Sequence, residues 1–152
     1  MNSVTGITPI PKGYHCLSPF LVLKDIAGFL DFLRNALDVQ VVRTVAEKDG
    51  SVTYAEVRLG DSHLLMREPM GQHEPMPASL YFYVPQCDAV YKHVLAAGAT
   101  SISEPTDRFY GDRNAGVRDK WGNIWWFATH IEDVNQAELE RRNQEKHIAN
   151  DR

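Results

Sequence analysis

Cysteine is nearly absent: Cys16 and Cys87 are the two in 152 residues. They show no CxxC spacing, which excludes a disulfide scaffold and a cysteine-built metal knuckle. No apolar run approaches the roughly 18–20 residues that cross a bilayer as a helix, so no membrane partner is expected. Positive charge is not in excess. The formal net charge is −4, and the basic footprint of a nucleic-acid binder is missing. Neither GxGxxG nor GxxxxGKS occurs, nor the GxSxG turn of a serine nucleophile. The opening MNSVTGITPIPKG lacks the basic start and apolar core of a signal peptide, so the expected location is cytoplasmic, with reduced thiols. What is present is a globular mixture, 43% hydrophobic and 24% charged, long enough to bury a core.

Residues 1–13, with Gly6, Pro9 and Pro11, read as an arm. An apolar stretch from Tyr14 to Leu23 is a strand candidate. Ile26, Phe29, Leu30, Leu33 and Leu37 then recur at helical spacing behind a capping Asp25. Strands follow at 40–47, 52–59 and 63–68, the first two joined by a turn at Lys48-Asp49-Gly50-Ser51. After a linker at 70–77 the order repeats. A strand covers 79–84, and a helix covers 86–97 with Val90, Val94 and Leu95 on its stripe and Gly98 closing it. Short strands follow at 100–104, 115–118 and 124–130, with a loop from Pro105 to Asp112. From Asn135 the chain is polar; Asn135 with Glu138 resembles a capping box, and 136–152 reads as a helical tail. Ala55-Glu56-Val57-Arg58 falls against Ala115-Gly116-Val117-Arg118 sixty residues on, and Ser18 falls against Ser79. The reading is α+β: two βαβββ modules, at about 14–70 and 78–131, within one domain spanning 14–135.

Strand alternation sorts the side chains. Leu17, Pro19, Leu21 and Leu23, then Ala55, Val57 and Leu59, Leu64 and Met66, Leu80, Phe82 and Val84, and Trp125 with Phe127 should face the helices. Ser18, Phe20, Val22, Tyr54, Glu56, Arg58, His63, Leu65, Arg67, Ser79, Tyr81, Tyr83, Ile124, Trp126 and His130 should line a cavity wall. That second set is aromatic with a few polar groups, as small-molecule sites tend to be. Glu56, Arg58 and Arg67 equally suit a solvated sheet face.

The chain resembles the vicinal oxygen chelate superfamily of glyoxalases, bleomycin-resistance proteins and dioxygenases, in its PhnB-like branch. The resemblance rests on Ile10-Pro11-Lys12-Gly13-Tyr14-His15, Ser18-Pro19-Phe20-Leu21, Ala55 to Ser62, Asp88-Ala89-Val90 with Ala96-Ala97-Gly98-Ala99, Phe109-Tyr110-Gly111-Asp112-Arg113, Gly116 to Asp119 with Gly122-Asn123, and Ala128 to Asp133. It implies cup-shaped sheets and a homodimer, often with swapped elements. Metalloenzymes of the family carry ligands at four positions, and carried onto this chain these are Ser18, Leu65, Ser79 and Trp126. None is a good ligand, so no metal and no cofactor are expected.

Two functions follow. In the first, the protein binds a small aromatic or anionic molecule without metal. Ser18, Phe20, Ser79, Tyr81, Tyr83 and Trp126 would then line the site, with Arg58 and Arg118 drawing an anionic group. In the second it is an enzyme: a metal-dependent lyase or dioxygenase using other ligands, or a metal-free isomerase with Glu56 or Asp112 as base. Asp112 beside Arg113 suggests a charge pair in the loop. His63 with Glu68, and His130 with Glu56, are further pairs that could meet across the cavity. Cys16 reads as a small core residue.

Overall fold

A computed structural model describes residues 6–150, and of 148–150 the backbone only. Residues 1–5 of the arm and 151–152 of the tail lie outside the described residues. The chain divides into two compact units at Pro77/Ala78.

In the first unit, β1 (Phe20–Val22), α1 (Ile26–Ala36), β2 (Val39–Ala46), β3 (Val52–Leu59) and β4 (Ser62–Arg67) form a sheet of order β1-β4-β3-β2. β1 runs parallel to β4, and the other pairs are antiparallel. The second unit repeats the arrangement. Here β5 (Ser79–Tyr83), α2 (Cys87–Ala96), β6 (Thr100–Asp107), β7 (Asp112–Arg118) and β8 (Ile124–His130) give the order β5-β8-β7-β6, and α3 (Gln136–Asn150) follows. The fold is therefore α+β with two βαβββ modules, each a four-stranded mixed sheet.

Alternation sets the cores. In the first unit Leu21, Ala55, Val57, Leu64 and Met66 on the strands and Ile26, Phe29, Leu30 and Leu33 on α1 are all buried. In the second, Ala115, Val117, Trp125 and Phe127 are buried with Val94 of α2, which packs on β6, β7 and β8. Removing each large side chain from water contributes roughly 1.5–3 kcal/mol.

The two helices start differently. Asp25 has a left-handed φ of 63° and accepts the Gly28 amide at 3.0 Å. Glu68 accepts the amides of Asp25 and Ile26, so α1 has two carboxylates at its positive end. Gln86 at the start of α2 makes no side-chain cap. Instead, Thr129 Oγ1 accepts the Cys87 amide at 2.9 Å while donating to Val84 O. At the start of α3, Asn135 accepts the Glu138 amide, but the Glu138 carboxylate turns to Arg141 and Arg142, so the box is half made.

Several sequence expectations are corrected. The first strand covers only 20–22, because a turn closed by Tyr14 N–H to Pro11 O leads into a segment with no ladder before Pro19. Leu17 is therefore 86% exposed rather than core, Pro19 is exposed, and Cys16 is exposed too. Leu37 ends α1 at its C-cap instead of joining its stripe, and Ala97 caps α2 with Gly98 after it at φ 109°. Half of the expected loop from Pro105 to Asp112 is strand. β6 runs to Asp107 and β7 begins at Asp112, leaving a four-residue connection, 108–111. Pro105 is tolerated because β6 is an edge strand whose register is interrupted between Ser103 and Thr106. Gly111 makes the connection possible: its φ is 101°, and a Cβ there would stand 2.2 Å from Glu132 O.

Candidate functional site

The face of the second sheet opposite α2 is built in rows by strand register. Ser79, Ile124 and Arg118 form one row; Tyr81, Trp126 and Gly116 the next; Tyr83, Ala128 and Asn114 a third; His130 pairs with Asp112 at the end. Gly116 sets the position of the Trp126 ring. A Cβ on Gly116 would meet ring atoms Cζ3 and Cη2 at 2.7 and 2.8 Å, so the indole occupies space that any other residue would claim. The neighbouring turn is fixed by Asp119, buried, which accepts the amides of Trp121 and Asn123, the Asn123 side chain, and the Trp125 indole N–H.

Asp112 is 4% exposed, yet it is well satisfied. Tyr81 and Tyr83 donate hydroxyls to Oδ2 at 2.7 and 2.9 Å, and His130 Nδ1 lies 2.9 Å from Oδ1. Burial pushes the carboxyl pKa up, but the hydrogen bonds from Tyr81, His130 and Tyr83 outweigh it and hold it below the usual range. Burial, together with the Asp112 bond, pushes Tyr81 well above the ordinary phenol value. For Tyr83 the Asp112 bond is the larger cause and burial the second. His130 also places Nε2 2.7 Å from Asp133 Oδ1. Hydrogen bonds to Asp112 and then Asp133 raise its pKa, favouring the imidazolium.

Beside this network lies a cleft of ≈ 350 Å³ lined by Tyr81, Arg108, Phe109, Tyr110, Asn114, Trp126 and Lys146. Asn114, buried, organises it: its amide donates to Tyr110 Oη at 2.7 Å and Tyr81 Oη at 3.2 Å, and Arg108 Nε donates to its carbonyl at 2.7 Å.

The first unit holds its own buried carboxylate. Glu56 accepts hydroxyls from Tyr14 and Tyr54, both at 2.9 Å, and Arg43 Nε stands 3.6 Å away. Burial and then the Glu56 bond push Tyr54 up to about 12. Tyr14 stacks on His63 with ring centroids 3.7 Å apart. His63 is 7% exposed, and its Nδ1 has no hydrogen-bond partner among the described residues.

The sequence candidates divide accordingly. Tyr81, Tyr83, Trp126 and Asp112 come together in the second unit. Ser79 and Arg118, both exposed, stand on the same face in the row beside Tyr81 and Trp126, outside the cleft lining. In the first unit, Phe20, exposed, lies in one row with Leu65 and Glu56, while Ser18 is half-buried. Arg58 is exposed and bonds the Gly60 carbonyl. The pairs expected from sequence are replaced. Arg113 turns to Asp88 and Asp107 instead of Asp112, because neighbours on a strand point to opposite faces. Glu68 serves α1 rather than His63, and His130 meets Asp112 and Asp133 rather than Glu56. Arg108, Asn114 and Lys146 join the site without a sequence expectation. A strand starting at Asp112 puts Asn114 on the face of Trp126, a signal that the expected loop hides; Lys146, far along the chain, leaves no such signal.

Of the four metal positions implied by resemblance, the first unit supplies Ser18 and Leu65 and the second Ser79 and Trp126. Leucine offers no donor, an indole only donates, and neutral serines are weak ligands, so these residues do not fit a divalent metal. Among the described residues no three His, Cys, Asp or Glu side chains converge to hold an ion.

Known proteins resemble this chain in sequence or in fold. An uncharacterized protein of Mycobacterium bovis, Mb0911c, is 27% identical over 135 residues, covering 82% of this chain and 89% of its own length. TioX from Micromonospora sp. ML1 is similar in structure with a TM-score of 0.63 at 21% identity, covering 76% of this chain and 99% of TioX. TnmS3, an antibiotic binding protein from Streptomyces sp. CB03234, gives 0.61 at 16% identity, over 82% and 97%. The PhnB protein from Bacillus cereus gives 0.61 at 17%, over 76% and 99%. The model of the Glyoxalase/Bleomycin resistance protein/Dioxygenase superfamily matches residues 15–127, and the chain belongs to that superfamily.

Proposed function

We propose that this protein is a metal-independent small-molecule binder of the PhnB-like branch, taking a planar aromatic ligand in the cleft of the second unit. The observation that carries the reading is the lining of that cleft, where four aromatic side chains, Tyr81, Phe109, Tyr110 and Trp126, surround ≈ 350 Å³ beside a satisfied polar network. That volume suits a small ligand, and the rings suit stacking. The saturation of Asp112 supports binding over catalysis. Three donors occupy its oxygens and its pKa is lowered, which makes it a weak base whose role is to hold Tyr81 and Tyr83 in place. A structural neighbour, TnmS3, is itself described as antibiotic binding. The reading includes a homodimer, for which the exposed rings of Phe20 and Tyr83 are suited.

The test is thermal stability and tryptophan emission against a panel of planar aromatic compounds, with the compounds followed by NMR for conversion. Saturable stabilisation without conversion is expected, and turnover of any bound compound would overturn the reading. A second reading, proton-transfer catalysis, rests on His130, half exposed and bonded to the Asp112 and Asp133 carboxylates, which raise its pKa. It requires turnover that His130→Gln abolishes while binding survives. Stoichiometric uptake of zinc, nickel, manganese or iron, measured by elemental analysis, would move the assignment to a lyase or dioxygenase.

A further inference from the structure

The cleft has a second character that its rings do not explain: two cations line it, and neither is paired with a carboxylate among the described residues. Arg108 is half-buried and bonded to neutral groups, Asn114 Oδ1 at 2.7 Å and Ser103 Oγ at 2.8 Å. Those two bonds leave three of its five N–H donors for another partner. Lys146 stands with Nζ 5.1 Å from the Phe109 ring centroid. Three other arginines of the unit are neutralised, Arg113 by Asp88 and Asp107, Arg141 by Glu138 and Glu145, Arg142 by Glu132 and Glu138, whereas Arg118, exposed on the sheet outside the cleft lining, has no carboxylate partner among the described residues. A half-buried guanidinium with three uncommitted donors is suited to an anionic group of a ligand, because charge-assisted hydrogen bonds are the stronger ones.

Lys146 belongs to α3, which lies beyond the residues 15–127 matched by the superfamily model. This helix is fastened to the rim of the cleft. Arg142 donates to the Phe109 carbonyl at 3.1 Å and holds Glu132 through two nitrogens. One helical turn further on, Lys146 falls on the same side, over Phe109.

We propose that α3 completes the cleft as an anion subsite, in which Lys146 and Arg108 take the negative group of an aromatic monoanion whose rings lie against Trp126 and Tyr81. This rests on the aromatic reading above and narrows it to one ligand class. The subsite selects by charge, the rings by shape.

Two fluorescent probes with the same ring skeleton separate the contributions: 8-anilinonaphthalene-1-sulfonate and its uncharged counterpart N-phenyl-1-naphthylamine. The sulfonate is expected to bind about tenfold tighter, as a charge-assisted contact would give. Lys146→Gln should weaken the sulfonate by about three- to fivefold, since the ammonium is partly solvated, and leave the neutral probe unmoved. Lys146→Arg should restore it. Trp126→Leu should weaken both probes alike, and Lys120→Gln neither. Equal binding of the two probes with no effect of Lys146→Gln would overturn the anion subsite while leaving the aromatic cleft standing. Equal losses from Lys146→Gln and Lys120→Gln would overturn it as general surface charge. Failure of both probes to bind would overturn the aromatic cleft and the subsite with it.

Discussion

Across the middle of the first sheet the row on the face away from the helix reads Phe20, Leu65, Glu56 and Arg43; across the second it reads Tyr81, Trp126, Gly116 and Ser103. The backbone ladder is the same and the chemistry is exchanged. The first unit fills its centre with a carboxylate, bound by two tyrosines and faced by an arginine. The second empties that position to glycine, lets the indole lie across it, and moves its carboxylate to Asp112 at the start of the strand. There Asp112 also collects two tyrosine hydroxyls, now from β5, and a histidine. Both units therefore satisfy a buried carboxylate with phenols, but only in the second does this leave the sheet centre free of charge, with an indole beside a glycine. A duplicated fold can thus separate a polar face from a ligand-sized aromatic one by trading volume between neighbouring strands.

The largest test of that difference is Asp112→Ala. It strands two tyrosine hydroxyls and His130 around a buried gap, and we expect a loss of about 3 kcal/mol in urea unfolding. Glu56→Ala should cost less, because Arg43 beside it is solvated. All three tryptophans, Trp121, Trp125 and Trp126, lie in the second unit, so indole emission follows that unit while far-UV dichroism follows both. Equal losses for the two variants would show that the two carboxylates do the same work in both units.

Next comes Gly116→Ala. The added methyl meets the Trp126 ring, and a cost of about 2 kcal/mol is expected from overpacking. Trp126→Leu in that background should recover most of it. A neutral Gly116→Ala would show that the ring does not need the glycine.

Helix starts give a smaller contrast. Asp25→Ala should cost about 1 kcal/mol in thermal unfolding, the usual worth of a cap, and Asp25→Gly less because the site is left-handed. Gln86→Ala should be silent, since α2 is capped from β8.

The smallest effect is pH dependence. The raised pKa of His130 contributes stability that is full below its ordinary 6.5 and fades as pH rises through the higher folded value. The lowered pKa of Asp112 contributes above 3.8 and fades as pH falls through the lower folded value. The Asp112–His130 pair should therefore stabilise most between about pH 4 and 6.5. His130→Gln should flatten the alkaline arm of melting temperature against pH. An unchanged arm would remove the pair from the account.

Much of this architecture is legible in the order of residues. Ala55, Val57, Leu64 and Met66 alternate along the chain as they do in the core, because period-two apolarity admits only one burial. Asp25 reads as a cap for the same local reason. Leu17 and Cys16 depart from their expected core positions because alternation fails in a stretch with no partner strand, and ladder pairing is not a local property. Pro105 breaks a central strand but not an edge, and only the strand order of the second sheet shows which of the two it occupies.

Residue order alone carries the succession of elements, the repeat and the helix-facing core apart from Leu17 and Pro19, since each depends on periodicity within a few residues. It also supplied Tyr81, Tyr83 and Trp126 as one face. Tertiary structure alone decided which groups those rings would meet: Asp112 reaching tyrosines some thirty residues earlier, Trp126 resting on Gly116, and Lys146 returned to Phe109 by the Arg142 anchor. Such contacts depend on how strands register and where a helix docks, and both are settled by the packing of the whole unit.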